Sequence, residues 1–332
     1  MARPRTIPVT HRLLYTIKPT DPNPILRILE QQGLMVLDVA LATALESRGC
    51  DLVDELWSAK VLFDDPDHIR EVHLDYLLAG ADCITTSSYQ ATLPGFTNRG
   101  FGEDAGRDLM RLSLILALEA RDLFGSEAAN RTGRLRPLVA ASIGPFGAYL
   151  ADGSEYTGSY GISDAVLYAF HRERWQLLAS QGADLMACET IPAQREAESL
   201  LRLISETPGQ WAWISFSCRD GEHLCDGGLL RDAARACDVE PRVAAVGINC
   251  TAPELIAPLI AEARKGTDKP ILVYPNSGEG YDAEQKRWCP ARSLVDWEET
   301  VEGWVRRGAS GVGGCCRVGP RRIAEIRRHL VS

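Results

Sequence analysis

The sequence predicts a single (β/α)8 barrel of the TIM type, in the α/β class. Three observations carry this expectation. Eight short apolar, β-branched runs follow one another along 332 residues, with starts 26 to 55 residues apart. Every interval has room for a helix. Polar residues gather where the runs end. Strands that are apolar on both faces and alternate with helices belong to parallel sheets, and a closed barrel of this kind takes about 250 residues plus insertions.

The eight runs are residues 35–41 (MVLDVAL), 83–89 (CITTSSY), 138–144 (LVAASIG), 185–190 (LMACET), 211–218 (WAWISFSC), 244–250 (AAVGINC), 271–277 (ILVYPNS) and 311–316 (GVGGCC). Several intervals show helical periodicity. In residues 103–124, Leu109, Leu112 and Leu116 recur at three and four residues, with Arg107, Arg111 and Glu119 off that stripe. Asp67 is placed to cap a helix on which Ile69, Val72 and Tyr76 share a face. The competing open, doubly wound sheet usually carries a Gly-rich turn after its first strand. Here that strand continues as DVALATALE. The Gly-rich residues 146–161 (FGAYLADGSEYTGSYG) read as a loop over the barrel mouth and a candidate lid.

Pro4 and Pro8 interrupt any helix in the basic start of the chain, which lacks the apolar stretch of a secretory signal. Residues 1–22 are expected to be a flexible segment and residues 23–332 one barrel domain. The chain is 45% hydrophobic and 24% charged, as expected of a packed globular domain. A net charge of −9 without a basic cluster argues against nucleic acid as a partner. No apolar run approaches the roughly 18 residues of a membrane span. Ten cysteines without a secretory signal point to free thiols in a reducing cytoplasm.

Chemistry in such barrels sits at the C-terminal ends of the strands. The residues there are Asp38, then Thr86, Ser87 and Ser88, then Glu189, Asn249, Cys250, Asn276, Ser277, Cys315 and Cys316. Strands six and eight both end in cysteine, and their mouths lie one strand apart. Three thiolates suit a soft tetrahedral ion, zinc first, and leave its fourth position open. Gly313 and Gly314 relax the backbone so that the vicinal sulfurs of Cys315 and Cys316 turn inward together. The plain alternative is a pair of buried apolar thiols. The other seven cysteines show no ligand spacing. His68 and His73, five apart on a helix, read as solvated rather than as a metal pair. Asp38 and Glu189 either pair with arginines in the mouth or hold a substrate ammonium group.

These motifs resemble the homocysteine S-methyltransferase family over nearly the whole chain. The matching segments are LWSAKVL (56–62), IREVHLDYLLAGAD (69–82), TSSYQAT (86–92), SIGPFGAYLADGSEYTG (142–158), ADLMACETIP (183–192), GINC (247–250), YPNSGE (274–279) and GGCCR (313–317). The run DGSEYTG is most similar to members that use S-methylmethionine. The resemblance implies a barrel with Zn2+ held by Cys250, Cys315 and Cys316, and Asp38 and Glu189 near the homocysteine amino group. It also implies Asn249, Tyr274 and Asn276 along the same pocket. Ser88, within TSSYQAT, is a further candidate substrate contact.

The expected reaction moves a methyl group from a sulfonium donor, S-methylmethionine or S-adenosylmethionine, to the thiol of homocysteine, giving methionine. A free thiol is only a few per cent ionised at neutral pH, and zinc coordination deprotonates it. No catalytic side chain beyond the zinc-activated substrate thiolate is then required. One departure stands out. The family usually carries two small residues after the first strand's aspartate, where this chain has Asp38-Val39-Ala40. A branched Val39 there is expected to narrow the thiol pocket, tilt the strand or favour a different acceptor. The alternatives are a zinc-binding pseudoenzyme or thiol-metal buffer, a methyltransferase for another thiol or a selenol, a phosphate-binding barrel and a scaffold.

Overall fold

The computed structural model describes residues 21–38, 40–282, 287–289 and 297–331. Residues 1–20, most of the expected flexible segment, and Val39 lie outside the described residues, as does the side chain of Cys289. Eight parallel strands form the barrel: β1 (Met35–Val36), β2 (Cys83–Thr85), β3 (Leu138–Ile143), β4 (Leu185–Ile191), β5 (Ala212–Phe216), β6 (Val243–Asn249), β7 (Ile271–Tyr274) and β8 (Ala309–Val312). Pairing runs β1–β8–β7–β6–β5–β4–β3–β2. A parallel bridge from Leu37 to Cys83 returns β2 to β1 and closes the circle. Two short antiparallel strands, Gly280–Asp282 and Arg287–Cys289, form a hairpin between β7 and β8.

All eight expected strands are present, but most stop earlier than the apolar runs suggest. The first ends at Val36 rather than Leu41, and the second at Thr85 rather than Tyr89. Near these ends side chains take up backbone amides alongside the last ladder bonds. The Thr85 amide donates to both oxygens of Asp38, at 3.1 and 3.0 Å, and the Ser142 amide donates to Thr86 Oγ1 at 3.0 Å. Short polar side chains compete in this way with a sheet ladder. Most of the polar residues read as strand ends therefore sit just past the strands, whereas Glu189 and Asn249 lie within β4 and β6.

The helix Pro24–Gln32 plugs the opposite end of the barrel. Asn23 caps it, accepting from the Ile25 amide at 3.0 Å and donating to the Ala244 carbonyl at 2.9 Å. Ile25 and Ile28 enter the barrel beside Met35, Leu37, Leu185 and Trp213. Burying each such side chain contributes about 1.5–3 kcal/mol, which fixes the floor beneath the mouth.

Two helical expectations need correction. The helix Pro66–Ala79 starts two residues earlier than expected: Asp65 occupies the N-cap and Asp67 lies in the first turn. On that helix His73 is fully buried, not solvated, and neither ring nitrogen has a hydrogen-bond partner. Burial pushes its imidazole down to about 3, so it is neutral. The helix Glu103–Ser126 buries a stripe through Met110, Ser113, Ala117, Ala120 and Phe124. Leu116 is buried as expected, whereas Leu109 and Leu112 only flank the stripe.

Candidate functional site

Three cysteines define the mouth of the barrel. Cys250 follows Asn249 at the end of β6 in a left-handed backbone conformation, φ 49°. Cys315 and Cys316 lie past the end of β8, in a turn rather than in the strand, so side-chain alternation does not separate them. The Cys315 amide donates to Pro275 O at 2.7 Å, the Ser277 amide to Cys316 O at 3.0 Å, and the Val318 amide to Cys315 O at 3.1 Å. Gly314 contributes by close approach, not by unusual φ: a Cβ there would sit 2.1 Å from a methyl of Val318. Tyr76, on the Pro66–Ala79 helix, ties this turn to the end of β1 by donating to Ala40 O at 3.0 Å and Val318 O at 3.3 Å.

The three sulfurs lie within 4.8 Å of one another. Cys316 is 3.9 Å from Cys250 and 4.0 Å from Cys315. Tetrahedral coordination with metal–sulfur bonds of ~2.3 Å puts thiolate sulfurs about 3.8 Å apart. The spacing therefore fits one ion of that kind, and this is the one such group of three among the described residues. Cys315 and Cys316, then Tyr156 and Asn276, donate toward Cys250 and hold its thiol well below the ordinary value. Their hydrogen bonds to Cys250, then burial and its negative charge, raise Cys315 and Cys316. Cys83, Cys188, Cys218 and Cys237 are buried apart from this cluster.

Glu189 lies beside the sulfurs in a bulge of β4, where the pairing with β5 shifts between Cys188 and Ile191. Its Oε1 accepts from Ser142 Oγ at 2.5 Å, and its Oε2 is buried without a partner. Burial, then the charges of Asp38 and Cys250, push its carboxyl up to about 8. Asp38 is buried too, but Thr85 engages both its oxygens. Tyr274 is buried with its hydroxyl accepting from Trp213 Nε1 at 3.0 Å.

The remaining expected contacts divide by how their polar atoms are used. Asn276 keeps a buried, unpartnered Oδ1. Ser88 donates to Ser142 O at 2.7 Å and meets Thr86 Oγ1 at 2.6 Å, so its hydroxyl is engaged in the barrel wall. Asn249 is engaged as well. Its Oδ1 accepts from the Thr190 amide at 2.8 Å and Ser215 Oγ at 2.7 Å, and its Nδ2 donates to Thr190 Oγ1 at 2.8 Å. Thr190 has φ 59°. A left-handed non-glycine residue costs about 1–2 kcal/mol, and Asn249 offsets that cost. Asn249 thus links the Cys250 end of β6 to the bulge that presents Glu189.

Ser87, expected at the second strand's end, has a buried hydroxyl without a partner. Two further residues at the mouth were not singled out by sequence. Tyr156 brings its hydroxyl to 3.3 Å from Cys250 Sγ. Glu155 has a buried, unpartnered Oε2, and burial pushes its carboxyl up to about 6. Glu155 and Tyr156 belong to the run DGSEYTG, where an acid beside an aromatic in a mouth loop was the available signal.

A family model described as homocysteine S-methyltransferase matches residues 35–330. The chain belongs to the homocysteine S-methyltransferase family. Homocysteine S-methyltransferase YbgG of Bacillus subtilis is 51% identical over 304 residues, 92% of this chain and 96% of the relative. Selenocysteine Se-methyltransferase of Brassica oleracea var. italica is 45% identical over 316 residues, 91% of this chain and 90% of the relative. The structure of the metallated homocysteine methyltransferase MmuM of Escherichia coli superposes with a TM-score of 0.83 at 44% identity, covering 92% of this chain and 99% of that one. Membership of the homocysteine S-methyltransferase family and the barrel both agree with the sequence expectation. No helix among the described residues is long and apolar enough to cross a membrane.

Proposed function

We propose that this chain is a zinc-dependent methyltransferase that moves a methyl group from a sulfonium donor, S-methylmethionine first, to the thiol of homocysteine. The observation that carries the reading is the set of three sulfurs at single-ion spacing beside a buried carboxylate with an unpartnered oxygen. Family membership supports homocysteine as acceptor. The three site thiols and the six other described cysteines are all free, which fits a reducing cytoplasm.

Cys250, Cys315 and Cys316 would hold the zinc, and bound zinc supplies a thiolate acceptor sulfur at neutral pH. Glu189 binds the acceptor's ammonium, which gives its buried carboxyl the cation it lacks within the protein. Asp38 adds a second negative charge to the same space while Thr85 holds it in place. Asn249 keeps Thr190, and with it Glu189, in position. Tyr274 and Asn276 border the pocket. During transfer the donor's S–CH3 bond breaks and its electron pair returns to the donor sulfur, leaving a neutral thioether. The acceptor sulfur gains the methyl group, and the acceptor's thiol proton leaves to solvent. Opposite charges cancel in this step, so a site that excludes water favours it, and in-line positioning contributes about 7 kcal/mol or more.

A second reading, with a selenol in place of the thiol, is favoured by the similarity to the Brassica selenocysteine enzyme. Zinc analysis of the reduced protein, combined with product formation from each donor and each acceptor, tests both. Zinc at one per chain and methionine from S-methylmethionine and homocysteine are expected. A fully active metal-free protein would overturn the zinc assignment, and methylation of a selenol alone would overturn homocysteine.

A further inference from the structure

The segment that covers the mouth is built as a fixed roof. It begins with a short helix, Phe146–Leu150, and folds back through a single turn, Ser154–Tyr156. The two pieces touch so closely that a Cβ on Gly147 would lie 2.3 Å from the Glu155 amide nitrogen. One buried carboxylate, Glu196, fastens both ends. Its Oε1 accepts from the Phe146 amide at 2.6 Å, and its Oε2 accepts from the Tyr160 hydroxyl at 2.7 Å. His171 Nε2 lies 2.8 Å from the same Oε1, and Arg174 lies 2.9 Å from His171 Nδ1. Glu196, His171 and Arg174 are all buried. Arg174 Nε is the one buried polar atom among them without a partner, and a buried hydrogen-bond network of this kind rigidifies what it holds.

The roof presents two side chains to the sulfur cluster. Tyr156 rests its hydroxyl against Cys250 while the residue as a whole remains 47% exposed. Glu155 turns a buried Oε2 inward with no partner. The neighbouring charges that bear on it, Cys250 and Asp152, are negative. A carboxylate oxygen desolvated in this way is costly unless a cation meets it. An aromatic face beside it adds attraction for a cation with a diffuse, poorly hydrated charge. A trialkylsulfonium is such a cation, and it must lie next to the acceptor sulfur to react.

We propose that Glu155 and Tyr156 form the subsite for the sulfonium centre of the methyl donor, and that selection of a charged donor over a neutral one is made there. This inference rests on the proposed transfer from a sulfonium and names the residues that receive it. Glu189 and Asp38 serve the acceptor on the barrel wall, and the roof serves the donor from the opposite side.

The test uses the full-length, zinc-loaded protein. Glu155→Gln keeps the shape and removes the charge. It is expected to raise the KM for S-methylmethionine about tenfold or more, as loss of a charge-assisted contact does, while the KM for homocysteine and the zinc content stay within about twofold. Calorimetric binding of trimethylsulfonium provides a readout independent of turnover. Wild type and Tyr156→Phe should bind it, and Glu155→Gln and Tyr156→Leu should bind it at least about tenfold more weakly. Should Glu155→Gln fail to fold, the comparison of Tyr156→Leu with Tyr156→Phe decides. Donor KM and sulfonium binding unchanged in Glu155→Gln, or in Tyr156→Leu, would overturn the proposal. A wild type that uses no sulfonium donor would instead remove the functional reading on which it rests.

Discussion

Glu189→Gln should make the metal-free protein more stable at neutral pH and a poorer binder of the acceptor. The Glu189 carboxyl is pushed from 4.5 up to about 8, first by burial and then by Asp38 and Cys250. Between those values the folded chain keeps a proton that the unfolded chain gives up. Its favourable contribution is complete below pH 4.5 and is lost as pH rises toward 8. Stability therefore falls with pH by at most about 1.4 kcal/mol per unit across this window. The amide is neutral throughout, so the variant escapes that decline. From pH 5 to pH 7 the difference between variant and wild type should grow by about 2–3 kcal/mol in the variant's favour. Urea denaturation of both metal-free, reduced proteins at pH 5, 6, 7 and 8 measures it, and titrations shared by the two cancel in the difference. Acceptor binding should move the opposite way, weakening by about 1.5–3 kcal/mol for a lost charge-assisted contact. Parallel stability–pH curves would show that the carboxyl is already ionised and paired. That result would refute its role as a charge waiting for an ammonium group.

Replacing Cys250, Cys315 or Cys316 with Ala should lower zinc from about one per chain to near none, because three ligands become two; metal analysis and circular dichroism together separate this from unfolding. Asn249→Ala leaves the buried Thr190 amide without its acceptor and should cost about 2–4 kcal/mol in denaturant stability, with a higher homocysteine KM. His73 is neutral and buried with its imidazole at about 3, so the unfolded chain binds the extra proton below 6.5 and stability is lost as pH falls. The loss should reach about 2 kcal/mol between pH 6.5 and 5, and His73→Leu should flatten it in the same denaturation series.

The barrel was legible because β strands buried on both faces leave an unambiguous apolar signature, and eight of them in order admit few folds. The sulfur cluster was legible from strand order: Cys250 and Cys315–Cys316 follow strands six and eight, whose ends lie one strand apart at one mouth. What periodicity could not reveal was how polar atoms are partnered. Ser88 and Ser87 look alike in sequence, yet Ser88 is engaged by Ser142 and Thr86 while Ser87 is unpartnered. Asn249 looks like a substrate contact and is occupied by Thr190 and Ser215. The inward turn of the vicinal cysteines was expected from glycine flexibility; it comes instead from the chain leaving the strand at Val312 and from close packing at Gly314. His73 was read as solvated because a polar residue on an exposed-looking helix gives no sign of the neighbours above it.

Glu196 has a consequence for how donor preference can change in evolution or by engineering. It sits seven residues after Glu189, at the start of the helix that follows the same strand. One strand–helix unit therefore carries both the carboxyl proposed to hold the acceptor's ammonium group and the latch for the cover proposed to receive the donor. Transplanting the cover from a relative with another donor would sever it from that latch unless Tyr160, His171 and Glu196 travelled with it. Drift in this unit would disturb both substrates at once. Donor and acceptor specificity in this barrel are thus inherited as one cassette, and a swap of loops alone should yield a folded barrel with a loose, water-filled mouth.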